Sequence, residues 1–378
     1  MKILEITAFS SGICGLWSRV SKESELLSKL GHEVHVFSSN IKRGSGKIEN
    51  SKKFEKKSNF KIHRFKTFGN FGKNTFFWNY SKQALKLKPD IIICHAYRQY
   101  YSTQAIKIAK KLNIPCILVT HAPFLEKKLR SPKLNLAVFL YDYFIGRRIL
   151  NKYSKVFAIT KWELPYLFDL GIKKEKIEYL PNGIPEEFFY LKLKKNNKTK
   201  QILFLGRIAP IKDIETLVKA FFICSKKDKN IKLNLVGPVE KEYGEKIKNL
   251  VNKLNLQDNV IFSGPIYDLK KKIRIIDDSN VFVLPSKREA MPQSLIEAMA
   301  RKKITISSNT DGGKEIISNN KNGYLFEIGD EKGLANKILN SLEENSLNTK
   351  IKEKALESVK EFSWRFLIKK IDTIIKTQ

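Results

Sequence analysis

Acidic residues are the first scarcity: 38 Asp and Glu stand against 71 Lys and Arg, a formal net charge of +33 over 378 residues. Cysteine is scarce as well. Cys14, Cys94, Cys116 and Cys224 lie far apart with no C-x-x-C spacing, which argues against a disulfide scaffold or a zinc site and fits a reducing cytoplasm. A spanning helix needs a run of about 18 apolar residues, and none occurs. The longest candidate, LNLAVFLYDYFIG, carries Asp142. The N-terminal MKILEITAFSSG has Glu5 inside its apolar run and no small-residue cleavage site, so it reads as a first strand and not as a signal peptide. Gly-x-Gly-x-x-Gly and the Walker loop are missing, which leaves a dinucleotide oxidoreductase and a P-loop NTPase without support. Asp-x-Asp is also missing, and no His/Cys/carboxylate cluster has zinc spacing.

What is present is a globular chain, 42% hydrophobic and 11% aromatic, of a length that suggests two domains. Short apolar runs alternate with helix-period segments. KILEITAF, EVHVFS, DIIICH, CILVTH and KVFAIT come first, then QILFLG, KLNLVG, NVIFSG, NVFVLPS and ITISS. Strand and helix in alternation mean parallel sheets covered by helices on both faces. The Lys/Asn-rich YLKLKKNNKTK at 190–200 follows the turn signal LPNGI and marks the boundary. The expected domains are therefore 1–189 and 190–358, both doubly wound, with a final amphipathic helix over 359–378 returning to the first. Such domains facing each other make a cleft at the C-terminal edges of their strands, where ligands of these sheets bind.

The segment PSKREAMPQSLIEAMA (285–300) follows a strand directly. Pro292 suits the first position of a helix, and the free amides of that turn suit a phosphate. Glu289 lies before the helix and Glu297 within it. Either both carboxylates address one ligand, or both simply favour the positive helix end. In LGRIAPIKD, Arg207 and Lys212 sit between a strand and a helix, a placement that suits a diphosphate leaving group. His121 ends the strand CILVT; His95 also ends a strand and ranks behind it. His32 and His35 read as structural, and His63 as strand surface.

Taken together these segments resemble the retaining GT-B glycosyltransferases of family 4. PSKREAMPQSLIEAMA is similar to that family's Glu-x-seven-Glu motif, LGRIAPIKD to its diphosphate motif, and VTHAPF to its strand-end histidine. TDGGKEIISNNKNGYLF resembles its glycine–glutamate stretch, and SSGICGLWSRV its N-terminal glycine loop. The resemblance runs from about residue 2 to 340. It implies a GT-B fold of two doubly wound Rossmann-like domains facing a central cleft. It implies transfer of a sugar, with retention, from a nucleotide-diphosphate sugar to an acceptor hydroxyl in glycan or glycolipid assembly. UDP-sugar is the favoured donor and GDP-sugar the second choice. On this resemblance His121 and Glu289 are catalytic, and Gly15, Arg207, Lys212, Met291 and Glu297 bind the nucleotide sugar. Glu297 would address the ribose. No cofactor and no metal are expected, since the Asp-x-Asp device of GT-A enzymes has no candidate. Cys14 stands where the family has glycine, and Lys302, Ile304 and Asp311 are further departures that affect loop shape.

The charge is lopsided. Residues 1–200 carry 39 basic and 15 acidic residues, and the window 51–150 alone carries 21 and 4. Codon bias toward lysine, asparagine and isoleucine explains much of the excess but not its asymmetry. Aromatic-basic stretches at 54–80 and 124–153 suit single-stranded nucleic acid, an anionic membrane surface, or a packed strand pair and helix with lysine-rich outer faces. The expected partners are thus a nucleotide-sugar donor, a lipid-linked or glycan acceptor, and an anionic membrane; nucleic acid is not expected. The expected location is the cytoplasm, peripheral on the inner face of the membrane. The alternative is a basic protein that binds nucleic acid or anionic surfaces and has kept the fold without catalysis; the Glu289/Glu297 and Arg207/Lys212 pairs count against it.

Overall fold

Strands of isoleucine, valine and leucine without alternation are stable only where both faces of the sheet are covered. The structure, a computed structural model, has that arrangement and describes residues 1–11, 15–42, 53–57, 59–70, 76–124, 130–191 and 200–378. Cys14, Phe71 and most of the polar stretch at 190–200 lie outside the described residues.

The chain forms two compact units, Met1–Asn182 with Leu367–Gln378, and Gly183–Phe366. The divisions fall at 182/183 and 366/367 rather than at 189/190 and 358/359. The reason is packing: Ile184, Phe188, Val359 and Phe362 all belong to the core of the second unit.

In the first unit the strands are β1 (Lys2–Thr7), β2 (Glu33–Ser39), β3 (Phe54–Lys56), β4 (Lys61–Phe65), β5 (Thr67–Asn70), β6 (Phe76–Trp78), β7 (Ile91–His95), β8 (Cys116–Val119), β9 (Lys155–Ala158) and β10 (Ile177–Tyr179). Eight of them form a sheet in the order β10-β9-β8-β7-β1-β2-β4-β3, parallel except for β3 against β4. β5 and β6 pair separately. Ile3, Leu4, Ile6 and Ile91 to Ile93 are wholly buried, as strands covered on both faces must be. The chain winds from β1 toward β2 and then back past β1 to β7, so the switch point of this sheet lies between β1 and β7.

In the second unit the strands are β11 (Gln201–Leu205), β12 (Lys232–Val236), β13 (Val260–Gly264), β14 (Val281–Leu284), β15 (Ile304–Ser308) and β16 (Tyr324–Phe326). All are parallel, in the order β13-β12-β11-β14-β15-β16, with the switch between β11 and β14.

At some side chains the structure decides between the alternatives the sequence left open, and at others it departs from the reading. Most of the described rings of 54–80 face inward: Phe60, Trp78 and Tyr80 are buried, and Phe65 stacks on Trp78 at 5.6 Å, while Phe54 and Phe68 are exposed. His63 is half-buried against His35, Phe37 and Phe54, not on the strand surface. In the last helix, Trp364–Lys376, the buried face is Trp364, Leu367, Ile368, Ile371 and Ile375, and Phe366 is exposed. The apolar run at 132–145 faces outward: Leu134, Leu136, Phe139, Leu140, Tyr143 and Phe144 are exposed. Among the described residues no helix is long and apolar enough to cross a membrane.

Candidate functional site

Where a doubly wound sheet reverses, the loops after the two central strands part and leave room above the strand ends. In the second unit these are the loops after β11 and β14. The first ends in a 3₁₀ turn, Pro210–Lys212, and Asp213 takes left-handed backbone (φ 47°) before the helix Ile214–Lys227. The second runs to the helix Gln293–Ala300, of which Pro292 is the N-cap; it sits one place outside the position expected for it.

The two loops are tied together. Lys287 N–H donates to Ile211 O at 2.9 Å, and Lys287 Nζ lies 3.6 Å from Asp213 Oδ1. The Lys212 ammonium pairs with Glu289 Oε1, which also accepts from Ser286 Oγ at 2.6 Å. A third loop braces the backbone beneath: Gly312 N–H donates to Glu289 O at 3.0 Å. A Cβ at Gly312 would lie 2.7 Å from Ala290 O and 2.8 Å from Glu289 O, so only glycine lets the chains approach this closely. Met291 is buried just beyond.

Glu297 lies inside the helix and is 5% exposed. Its Oε1 accepts from Lys272 Nζ at 2.5 Å, while its Oε2 is buried without a partner. Burial raises this carboxyl above the ordinary range, and Lys272 pulls it partly back. A buried oxygen with no donor costs free energy unless something supplies one. Arg207 stands apart from the other charges: its Nη1 pairs with Glu240 Oε1 at 2.6 Å, and both side chains are well exposed. The structure thus joins Lys212 to Glu289, and gives Glu297 and Arg207 separate partners.

In the first unit the β1/β7 switch holds a buried polar chain. Glu5 Oε2, on β1, is 2.7 Å from His95 Nε2, at the end of β7. His95 Nδ1 is 3.1 Å from His121 Nε2, just after β8. His121 and Ala122 both have positive φ, 58° and 46°, which turns the chain sharply at the strand end. Beside them Arg19 Nε pairs with Glu23 at 3.1 Å, both side chains fully buried, and Arg19 Nη1 donates to Leu180 O, Pro181 O and Asn182 Oδ1. Loss of hydration pushes Glu5 up to about 8, against the pull of Arg19, and pushes His95 down to about 4. His121 is held well below the imidazole range by loss of hydration, then by His95 and Arg19.

These shifts assign the protons. At neutral pH Glu5 is a carboxylic acid and both rings are neutral. Glu5 then donates to His95 Nε2, His95 Nδ1–H donates to His121 Nε2, and His121 keeps its remaining proton on Nδ1. Among the described residues, Glu5, Glu23 and His95 offer atoms close enough together to hold a cation, all buried. Arg19 already supplies a positive charge there. Gly15 opens the helix Gly15–Lys29, and a Cβ on it would meet nothing within 4 Å.

Sequence reasoning did not single out Ser286, Lys272, Lys287 or Glu5 for this role. Glu5 alone left a signal, a charge inside a strand's apolar run. Lys272 is one of several lysines in LKKKIRIIDD, and nothing local marks it.

Comparison with known proteins places these observations. Residues 15–188 match the family described as Glycosyltransferase Family 4, and residues 186–358 match Glycosyl transferases group 1. An uncharacterized glycosyltransferase of Methanocaldococcus jannaschii is 26% identical over 385 residues, covering 96% of this chain and 95% of that protein. The capsular polysaccharide biosynthesis glycosyltransferase CapM of Staphylococcus aureus is 29% identical over 208 residues, 55% of this chain and 53% of its own. The crystal structure of HepE from Anabaena, in complex with UDP, superposes over 100% of both chains with a TM-score of 0.77 at 15% identity. That likeness shows the fold, two Rossmann-like parallel-sheet domains of the GT-B kind. With the two family matches meeting near residue 187 and spanning nearly the whole sequence, the chain belongs to the family 4 group of GT-B glycosyltransferases.

Proposed function

We propose that this glycosyltransferase moves a sugar from a UDP-sugar to a hydroxyl of a lipid-linked or glycan acceptor, with retention at the anomeric carbon. The observation that carries the reading is the Lys212–Glu289 pair at the β11/β14 switch. When the bond between the sugar's anomeric carbon and the diphosphate breaks, negative charge grows on the leaving oxygen. A lysine held at the strand ends, with a carboxylate as its exchangeable partner, is placed to take up that charge. Arg207 adds a second cation, and Glu289 and Met291 line the donor sugar. Glu297 Oε2, buried without a donor, suits a ribose hydroxyl. His121 presents an N–H, which suits a sugar or phosphate oxygen. Glu5 and His95 act through it as positioning residues. UDP is favoured because HepE, similar in fold, was crystallised with UDP; GDP-sugars are the second choice.

The test is a thermal-shift panel of UDP, GDP, ADP and their sugars. A ligand at 100 times its Kd adds about 2.7 kcal/mol of stability, so the correct base stands out. A melting temperature unmoved by every nucleotide would sink the reading. The basic-protein alternative predicts that outcome, with stabilisation by polyanions instead.

A further inference from the structure

The segment Pro132–Ile149 is a helix with its polarity reversed. Its inward positions include Asn135, Asp142 and Gly146, while Leu136, Phe139, Leu140, Tyr143 and Phe144 point outward and are 42–61% exposed. No residue of Pro132–Tyr141 is buried. A π-helical turn at Asp142–Gly146 widens the outward face, so that Tyr143, Phe144 and Ile145 are exposed in succession. The inward side is specified rather than loose. Asp142 accepts from Tyr97 Oη at 3.0 Å and from Arg98 Nε and Nη2 at 2.9 and 2.6 Å. A Cβ on Gly146 would lie 2.0 Å from the Tyr97 hydroxyl, so any larger residue there must push that hydroxyl off Asp142. The outward apolar face is therefore fixed in place and is not a helix waiting to turn over.

We propose that Pro132–Ile149 is the surface by which the first unit seats in an anionic lipid monolayer. Water does not favour such a face, whereas the headgroup–acyl boundary does. The charge selects the occupant. Arg130 and Lys133 lie at one end and Arg147, Arg148 and Lys152 at the other, and Asp142, already paired with Arg98, is the only acid between 130 and 152. Apolar side chains in the middle with long cations at both ends match acyl chains flanked by phosphates. A second copy would instead set two strongly positive surfaces against each other, since the chain carries +33. Beside the helix a pocket of about 550 Å³ opens between Phe124, Phe139, Tyr143 and Tyr166, with Arg98 and Arg147 on its wall, and gives room for part of one lipid. Exposed Tyr166 and Phe168 continue the apolar face past the pocket. The inference deepens the lipid-linked reading of the acceptor and rests on it for its purpose, but the docking itself is measurable without donor or acceptor.

The experiment is flotation of the full chain with neutral phosphatidylcholine vesicles and with vesicles also holding phosphatidylglycerol, at about 0.15 M salt, where screening extends to roughly 8 Å. Wild type floats with the anionic vesicles only. Phe139→Ser/Phe144→Ser loses flotation by about tenfold or more, because apolar depth is half of the attraction. Arg147→Gln/Arg148→Gln shifts the salt at which the protein releases to a lower value. All of these side chains are outward, so unchanged melting curves check that the fold is intact. Absence of wild-type flotation overturns the proposal, as does a serine variant that floats as well as wild type. Concentration-dependent dimerisation abolished by the serine variant would overturn it too, in favour of a second copy. Transfer to a lipid-linked acceptor dispersed in detergent, where docking is not needed, tests the acceptor reading separately.

Discussion

At the β11/β14 switch Lys212 and Glu289 remain partly exposed, at 20% and 11% of their side-chain surface, and their charges can be exchanged for those of a ligand. At the β1/β7 switch Glu5 and His95 are wholly buried, and their environment drives both toward the neutral form. The same winding of strand and helix thus supports two kinds of polar site. One is a counterion that an anion can displace. The other is a sealed chain that determines where a proton rests. The difference follows from position along the strand: Lys212 and Glu289 stand on loops beyond the strand ends, whereas Glu5 lies within β1 and His95 is the last residue of β7.

Lys212→Ala should break the first kind of site outright. Turnover is expected to fall about 10²–10³-fold, the usual loss when a donor to a developing anion is removed. UDP-dependent stabilisation should vanish with it, while the fold stays intact because Glu289 keeps Ser286. A variant that turns over and binds UDP like wild type would mean the β11/β14 switch is not the donor site.

Glu297→Ala should act on affinity. The lost charge-assisted bonds are worth about 1.5–3 kcal/mol, or roughly 10–150-fold in the UDP Kd, read by calorimetry. Lys272 is left without its partner, so a modest drop in melting temperature accompanies the loss. Unchanged affinity would assign Glu297 to the helix alone.

The sealed chain is tested through its tautomer. His121→Ala should lower turnover much more than UDP affinity. Glu5→Gln should retain most activity near pH 7, because the amide can still donate to His95 Nε2, whereas Glu5→Leu cannot and should lose it. Stability gives a second readout. Glu5 keeps its proton up to about pH 8 when folded but loses it near 4.5 when unfolded, so folding is weakened as pH rises between these values. His95 and His63, lowered to about 4, have the opposite effect from pH 4 to 6.5. Glu163, raised to about 7 by burial, and Glu23, also raised, add to the Glu5 trend, and Arg19 opposes it. From pH 6.5 to 8 stability should therefore fall, by up to about 1.4 kcal/mol per pH unit for Glu5 alone. Glu5→Gln should flatten that slope; an equal slope in the variant would put the proton elsewhere.

The smallest effect is expected from EDTA. If Lys212, Arg207 and backbone amides take up the leaving charge, transfer should continue under chelation. Activity lost in EDTA and restored by manganese would overturn this.

Much of the architecture was readable before any coordinates because parallel strands buried on both faces leave continuous apolar runs, and each run from KILEITAF to ITISS became a strand. The short β3, β5, β6, β10 and β16 lack that apolar length and were not foreseen. Lys212 and Glu289 were readable from their place between strand and helix, but their pairing is not, since 77 residues separate them. The helix at 132–149 shows a deeper reason. An apolar run looks the same whether it faces a core or a lipid, and only the half-buried, paired Asp142 and the buried Gly146 reveal which side is inward.

The first unit takes its closing piece, Leu367–Gln378, from beyond the second. Ile371 is buried in it, and the Asp372 carboxylate accepts from His32 Nε2–H at 2.7 Å. A ribosome therefore delivers every residue of the second unit before the strip that completes the first. The N-terminal sheet, although made first, must wait with an unfinished wall, and the later-made half is the one able to finish folding early.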